Sequence, residues 1–235
     1  IFIVTLFNVT IHIIRGGYGM NKLVGISAGR KNKISEEAVK QVLQKSGLPY
    51  IFYSLSDFDI LTCDACNGCV ETNRCVKDDG VNKIIDDLEE AEGIVFAAPE
   101  YWNGLNAKGR AFWERVCFST RHNSNFSLEG KLGIIIGVSG NGDSNGVIKD
   151  IKTFYSDAKI NIVDKVEIQG EYACFTCGYG ESCTVGGLAK LYDLPMDIKE
   201  EYVPDLCNQH PEKGIKEDIR NNLKNVAANL NKSIK

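Results

Sequence analysis

Five short strand-like runs, four of them apolar without polar alternation, constrain this chain more than any other feature. They are "NKLVGIS" at 21–27, "LPYIFYSL" at 48–55, "GIVFAAP" at 93–99, "KLGIIIGVSG" at 131–140 and "KINIVDKVEI" at 159–168, the last a strand or strand pair. A strand with one wet face alternates polar and apolar residues, whereas one buried on both faces does not. Helical periods separate the runs. "SEEAVKQVLQKSG" follows the first, with Ser35 placed to cap it, Glu36 and Glu37 in its first turn and Gly47 as its stop. Val81, Ile84, Ile85, Leu88 and Ala91 share one face of a second helix. Residues 105–118 and 144–157 read as two more, and Ile215, Ile219, Leu223, Val226 and Leu230 mark a last one at spacing 4-4-3-4. Such alternation predicts an α/β fold of three layers, with a five-stranded parallel sheet in the order 2-1-3-4-5 and right-handed crossovers. Ligands then bind beyond the carboxyl ends of the strands, where the loops are 27–35, 56–80, 99–106 and 139–145.

The 235 residues suffice for one sizeable core, so residues 20–235 are read as a single domain. A net charge of -4 gives no reason to expect nucleic acid as a partner, and no run of 18 apolar residues marks a membrane span. Residues 1–19 are rich in Ile, Val and Thr, which allows a strand, but they precede the first methionine, Met20. They lack the basic start and small-residue cleavage site of a signal peptide. They are expected to be a non-native or poorly ordered extension. Nine cysteines without a secretion signal point to a reducing, cytoplasmic setting and to metal or iron–sulfur ligation rather than disulfides.

"SAGRKNKIS", 27–35, joins the first strand to the first helix. Hydroxyls at Ser27 and Ser35, a turn glycine at Gly29, cations at Arg30 and Lys31 and a helix N-terminus together suit a phosphate. The loop is neither G-x-G-x-x-G nor a Walker A loop, and a phosphomonoester such as that of FMN fits it better than a dinucleotide. An ordinary capped turn is the competing reading. "PEYWNG", 99–104, follows the third strand and offers Tyr101 and Trp102 to a planar ligand, with Asn103 and Gly104 forming a tight turn. "SGNGDSNG", 139–146, gives a second rim whose glycines allow close approach.

"CDACNGCVETNRC", 63–75, carries four cysteines at spacing C-x2-C-x2-C-x5-C. Structural zinc prefers paired C-x2-C knuckles held apart by a longer stretch. A cysteine at every third position crowds a tetrahedral ion but suits the separate iron corners of a [4Fe–4S] cube, and bacterial ferredoxins open with the same run. A redox dithiol needs only two of the four. Asp78 and Asp79 are expected to cap the helix near Val81.

With these motifs together, residues 21 to about 155 resemble the iron-sulfur flavoprotein family of anaerobic archaea and bacteria, a branch of the NADPH-dependent FMN reductases with a flavodoxin-like fold. The resemblance rests on "SAGRKNKIS", "CDACNGCVETNRCVKDD", the helix that follows and "GIVFAAPEYWNG". It implies an FMN phosphate on Ser27, Arg30, Asn32 and Ser35, and a flavin ring against Pro99, Glu100, Tyr101, Trp102, Asn103 and Gly104 and against Ser139, Gly140 and Gly142. It implies a [4Fe-4S] cluster on Cys63, Cys66, Cys69 and Cys75, electron transfer between cluster and FMN, ferredoxin or NAD(P)H as donor, and a homo-oligomer, dimer or tetramer. Electron relay requires no acid–base side chain, so no catalytic residue is assigned. The rival functions are an NAD(P)H-dependent FMN or quinone reductase without a cluster, and a zinc-stabilised α/β binding protein. "CFTCGYGESC" adds Cys174, Cys177 and Cys183, which could share a second metal with Cys207 or His210 or be small buried residues. Cys117 reads as core.

Overall fold

The computed structural model describes residues 2–6, 9–13, 22–122, 125–140, 142–170 and 217–234. Five parallel strands form the centre: β3 (Leu23–Ser27), β4 (Tyr50–Ser54), β5 (Gly93–Tyr101), β7 (Leu132–Ser139) and β8 (Asn161–Gln169). Their spatial order is β4-β3-β5-β7-β8, which is 2-1-3-4-5 in chain order and matches the expectation. A hairpin of β1 (Phe2–Leu6) and β2 (Val9–Ile13) adds two antiparallel strands outside β4, with Thr10 opposite Phe52. Within the Ile/Val/Thr-rich stretch, the described residues 2–6 and 9–13 are these two strands. A two-residue strand, β6 (Gly104–Leu105), folds back on the end of β5.

Two cores explain why the central strands read as unbroken apolar runs. Along β5, Ile94, Phe96 and Ala98 enter one core, and Val95 and Ala97 enter the other. Along β7, Ile135 enters the first, and Ile134 and Ile136 the second. Side chains of a strand alternate between faces, and here both faces are covered. The first core is closed by α2 (Val81–Glu90), α3 (Ala107–Ser119) and α4 (Asn145–Asp157), the second by α1 (Ile34–Ser46) and α5 (Glu217–Ile234). Val81, Ile84, Ile85, Leu88 and Ala91 are all buried, as their periodicity predicts. Each of the Val, Ile and Leu side chains contributes about 2 kcal/mol by leaving water. Leu223, Val226 and Leu230 seat α5 in the same way, whereas Ile215 lies outside the described residues.

The helix ends bring two corrections. Lys33, not Ser35, is the N-cap of α1, and Ser35 lies inside the first turn. Gly47 ends that helix as expected, with φ 69° and its N–H donated to Gln44 O at 3.3 Å. Gly80 is the N-cap of α2, and Asp79 is engaged mainly elsewhere.

Candidate functional site

The loops after β3, β5 and β7 meet at the carboxyl edge of the sheet. They enclose a cleft of about 240 Å³ lined by Gly29, Arg30, Lys33, Ile34, Ser35, Pro99, Glu100, Tyr101, Val138, Ser139, Gly140 and Gly170. Of the residues singled out from sequence, Arg30, Ser35, Pro99, Glu100, Tyr101, Ser139 and Gly140 come together here. Lys33 takes the place that the sequence reading gave to Lys31. The Lys31 ammonium is instead turned to Asp57, at 2.5 Å.

The loop after β3 is held from several sides. Ala28 N–H donates to Ala97 O at 2.8 Å, Asn106 Nδ2 donates to Ala28 O at 2.8 Å, and Ser56 Oγ donates to Gly29 O at 2.8 Å. Ser27 is fully buried, and its Oγ accepts the Gly29 N–H at 3.2 Å, so it shapes the loop from within. A Cβ on Gly29 would stand 2.6 Å from Ser35 Oγ, so only glycine lets the loop lie over the start of α1. The first N–H groups of a helix lack intrahelical acceptors, and Ile34 and Ser35 present that end to the cleft. With Arg30 and Lys33 beside them, the arrangement fits the phosphate of FMN.

Asn32 lies away from the cleft. Its backbone has φ 56°, and its N–H donates to Glu36 Oε2 at 3.0 Å. Glu36 is 2% exposed and also accepts from Ser54 Oγ and, at 3.4 Å, from Lys40 Nζ. This buried carboxylate ties the first turn of α1 to the end of β4. The sequence reading took it only as a partner of the helix dipole.

The far rim is a two-residue hairpin turn. Tyr101 pairs with Gly104, and between them Trp102 and Asn103 have φ 54° and 57°, so both central residues are left-handed, as in a type I′ turn. The turn therefore centres on Trp102 and Asn103 rather than Asn103 and Gly104. Tyr101 is half exposed, and Trp102 projects fully into solvent. Gly146, at the start of α4, lies against this turn: a Cβ there would meet Asn103 O at 2.1 Å. Its glycine thus serves the turn's backbone rather than direct approach to a ligand. Gly146 N–H donates to Glu100 Oε2 at 3.2 Å, which couples α4 to the same rim. Gly142 has φ 86° and does not line the cleft.

The cysteine loop occupies the long connection between β4 and α2. Cys66 is exposed, and Cys63, Cys69 and Cys75 are half-buried. Left-handed residues at Ala65, Asn67 and Asn73 curl the loop. Asn73 is its hinge to the protein: its Oδ1 accepts His122 N–H at 3.0 Å, and its Nδ2 donates to His122 O at 3.4 Å and Asn125 O at 3.3 Å. Cys69 Sγ lies 3.3 Å from His122 Nε2, and Cys75 Sγ accepts from Arg115 Nε at 3.3 Å. Burial pushes the Cys69 thiol up from its ordinary range, and Cys75, Cys63 and Cys66 push it the same way. Among the described residues, no three or more His, Cys, Asp and Glu side chains are disposed to hold a metal ion. In number and type alone, the four cysteines of the loop match the ligands of a cluster that spreads them over several irons. Cys117 is buried against Phe154 O, and burial pushes its thiol up to about 12. Cys174, Cys177, Cys183, Cys207 and His210 lie outside the described residues.

Comparison with known proteins gives this geometry a class. The model of the family described as NADPH-dependent FMN reductase matches residues 22–167, more than half the chain, and the chain belongs to that family of flavodoxin-like, FMN-dependent oxidoreductases. The fold agrees. An oxidoreductase of Corynebacterium diphtheriae superposes with a TM-score of 0.54 at 13% identity, covering 92% of this chain and 97% of that one. An NADH:FMN oxidoreductase superposes with a TM-score of 0.53 at 13% identity, covering 92% and 90%. Within the class, the chain belongs with the iron-sulfur flavoproteins. It is 30% identical to one from Methanocaldococcus jannaschii over 57% of this chain and 71% of that protein. It is 28% identical to one from Methanosarcina thermophila over 70% and 87%.

Proposed function

We propose that this FMN-dependent oxidoreductase seats its flavin in the cleft at the carboxyl edge of the sheet and takes electrons from reduced nicotinamide nucleotide. The observation that carries this is the meeting of three strand-end loops with the N-terminus of α1, where Arg30, Lys33 and Ser35 gather beside Tyr101 and Ser139. Bound FMN supplies two-electron and one-electron chemistry at a single ring. Arg30 and Lys33 bring positive charge to its phosphate, and the first turn of α1 offers N–H donors. Tyr101, which lines the cleft just before the Trp102–Asn103 turn, would be the wall on which the ring rests. The experiment is anaerobic mixing of the FMN-loaded protein with NADPH and with NADH, followed at the flavin absorbance. Rapid bleaching by either is the expected result, and a flavin that stays oxidised with both contradicts the donor.

A second reading, favoured by the four thiols carried on one braced loop, adds a [4Fe-4S] cluster on Cys63, Cys66, Cys69 and Cys75. Such a cluster supplies one-electron transfer and would connect FMN to a carrier such as ferredoxin. The relatives' names support this reading. The chain's own part is to fix the loop through Asn73 and Arg115 and to leave Cys66 at the surface. Replacing any of the four cysteines by serine should remove iron while FMN remains bound, and iron content unchanged in all four variants would exclude it. We place the protein in the cytoplasm as a homo-oligomer. The free thiols at Cys63, Cys66, Cys69, Cys75 and Cys117 support a reducing compartment, and among the described residues no helix is long and apolar enough to cross a membrane.

A further inference from the structure

We propose that Arg115 is the positioning residue of the cysteine loop: one buried guanidinium closes the neck of the loop and donates to a single one of its four sulfurs. Arg115 lies in α3 among Phe112, Trp113 and Val116, on a helix face that belongs to the core, and is 1% exposed. A buried cation is costly unless every donor is used. Here four hydrogen bonds of the guanidinium all go to the loop. Nη1 donates to Leu61 O at 3.3 Å and to Asp79, Nη2 donates to Lys77 O at 3.4 Å, and Nε donates to Cys75 Sγ at 3.3 Å. Leu61 stands just before Cys63, and Lys77 and Asp79 just after Cys75, so one side chain grips both ends of the cysteine segment. Asp79 completes the grip by accepting the Leu61 N–H at 2.9 Å. Only a planar group with several fixed donors reaches acceptors on both strands of such a neck, and a lysine ammonium does not.

An ion pair that merely stabilised the core would need Asp79 alone. The bond to Cys75 Sγ makes that sulfur unlike the exposed Cys66, because a charged donor withdraws electron density from it. The potential arm of the test rests on the cluster reading, and the reactivity arm does not. Two variants are compared with the wild-type chain, each with FMN bound. Arg115→Lys keeps the charge and loses the fork. Arg115→Met combined with Asp79→Asn removes both charges, so neither is left buried alone. Alkylation of the iron-free protein by iodoacetamide is mapped cysteine by cysteine, and the midpoint potential of the iron–sulfur signal is measured on iron-loaded protein. Both variants should retain FMN, alkylate Cys75 about tenfold more slowly relative to Cys66, because its thiolate loses the charged donor, and show a lower potential. An unchanged Cys75-to-Cys66 ratio in both variants overturns the proposal. So does a joint rise at Cys75 and at the core thiol Cys117, which would reduce Arg115 to a general stabiliser. A wild-type chain that takes up no iron sinks the cluster reading alone, and the alkylation ratio still decides the role of Arg115.

Discussion

At Asp79 and Arg115, two charged residues are buried where a core helix meets a loop, with side chains 5% and 0% exposed. Burial alone would push the Asp79 carboxyl up, but the hydrogen bond and charge of Arg115 and the N–H of Leu61 outweigh it and hold it below its usual range. A carboxyl depressed in the folded state adds stability above its unfolded pKa, and this stability is lost as the pH falls through the folded value. The wild-type urea midpoint should therefore drop below about pH 4, with a component that Asp79→Asn lacks. At neutral pH the same substitution leaves Arg115 buried without its counter-charge and should cost about 3 kcal/mol. Equal urea midpoints for both proteins at pH 7 would contradict this assignment. Aspartates near a helix start ordinarily cap it, which is how the sequence reads here. The opposing arginine lies 36 residues on in the chain, and only the fold brings them together.

Among the elements, the β5–β6 hairpin and α4 form one unit. Gly146 lets the start of α4 touch the Trp102–Asn103 turn, and Glu100 and Asp150 bond across the junction: Glu100 accepts the Gly146 N–H at 3.2 Å, and Asp150 accepts the Leu105 N–H at 2.9 Å. A methyl at 146 must push the turn away, at a cost of about 1–3 kcal/mol typical of overpacking. Gly146→Ala should lower FMN affinity while the far-ultraviolet circular dichroism stays native. Unchanged FMN affinity would show that this rim does not touch the flavin. The strands and helices themselves were legible from hydrophobic period, because covering both sheet faces leaves a plain signature in β3, β5 and β7. Turn chemistry was not: nothing in "PEYWNG" marks a tryptophan in a left-handed conformation, which costs about 1–2 kcal/mol and is upheld by tertiary contacts.

For the molecule as a whole, the binding edge and the added hairpin lie apart. The cleft is built on the ends of β3, β5 and β7, whereas β1 and β2 extend the sheet beyond β4. A chain starting at Met20 should therefore bind FMN as the full chain does, which equilibrium titration of both would check. Weaker binding by the shorter chain would tie the hairpin to the site. About half of the residues assigned to the flavin from sequence line the cleft, because strand-end loops in this topology converge by rule. Ser27, Asn32 and Gly142 do not line the cleft, and their polar or glycine character serves the loop's own hydrogen bonds and backbone, which a string of letters does not separate from ligand contacts. Lys33 and Gly170 enter the cleft through the path of the chain, without a motif to mark them.

The central claim is that FMN binds by its phosphate at the start of α1, beneath the Gly29 loop. The most direct measurement is titration of flavin-free protein with FMN, followed by quenching of flavin fluorescence, for the wild type and for Ser35→Asp. Saturation at one flavin per chain in the wild type is predicted. Its loss in Ser35→Asp, where a carboxylate would face the phosphate, is predicted with it. Equal FMN affinity in the two proteins would contradict the account.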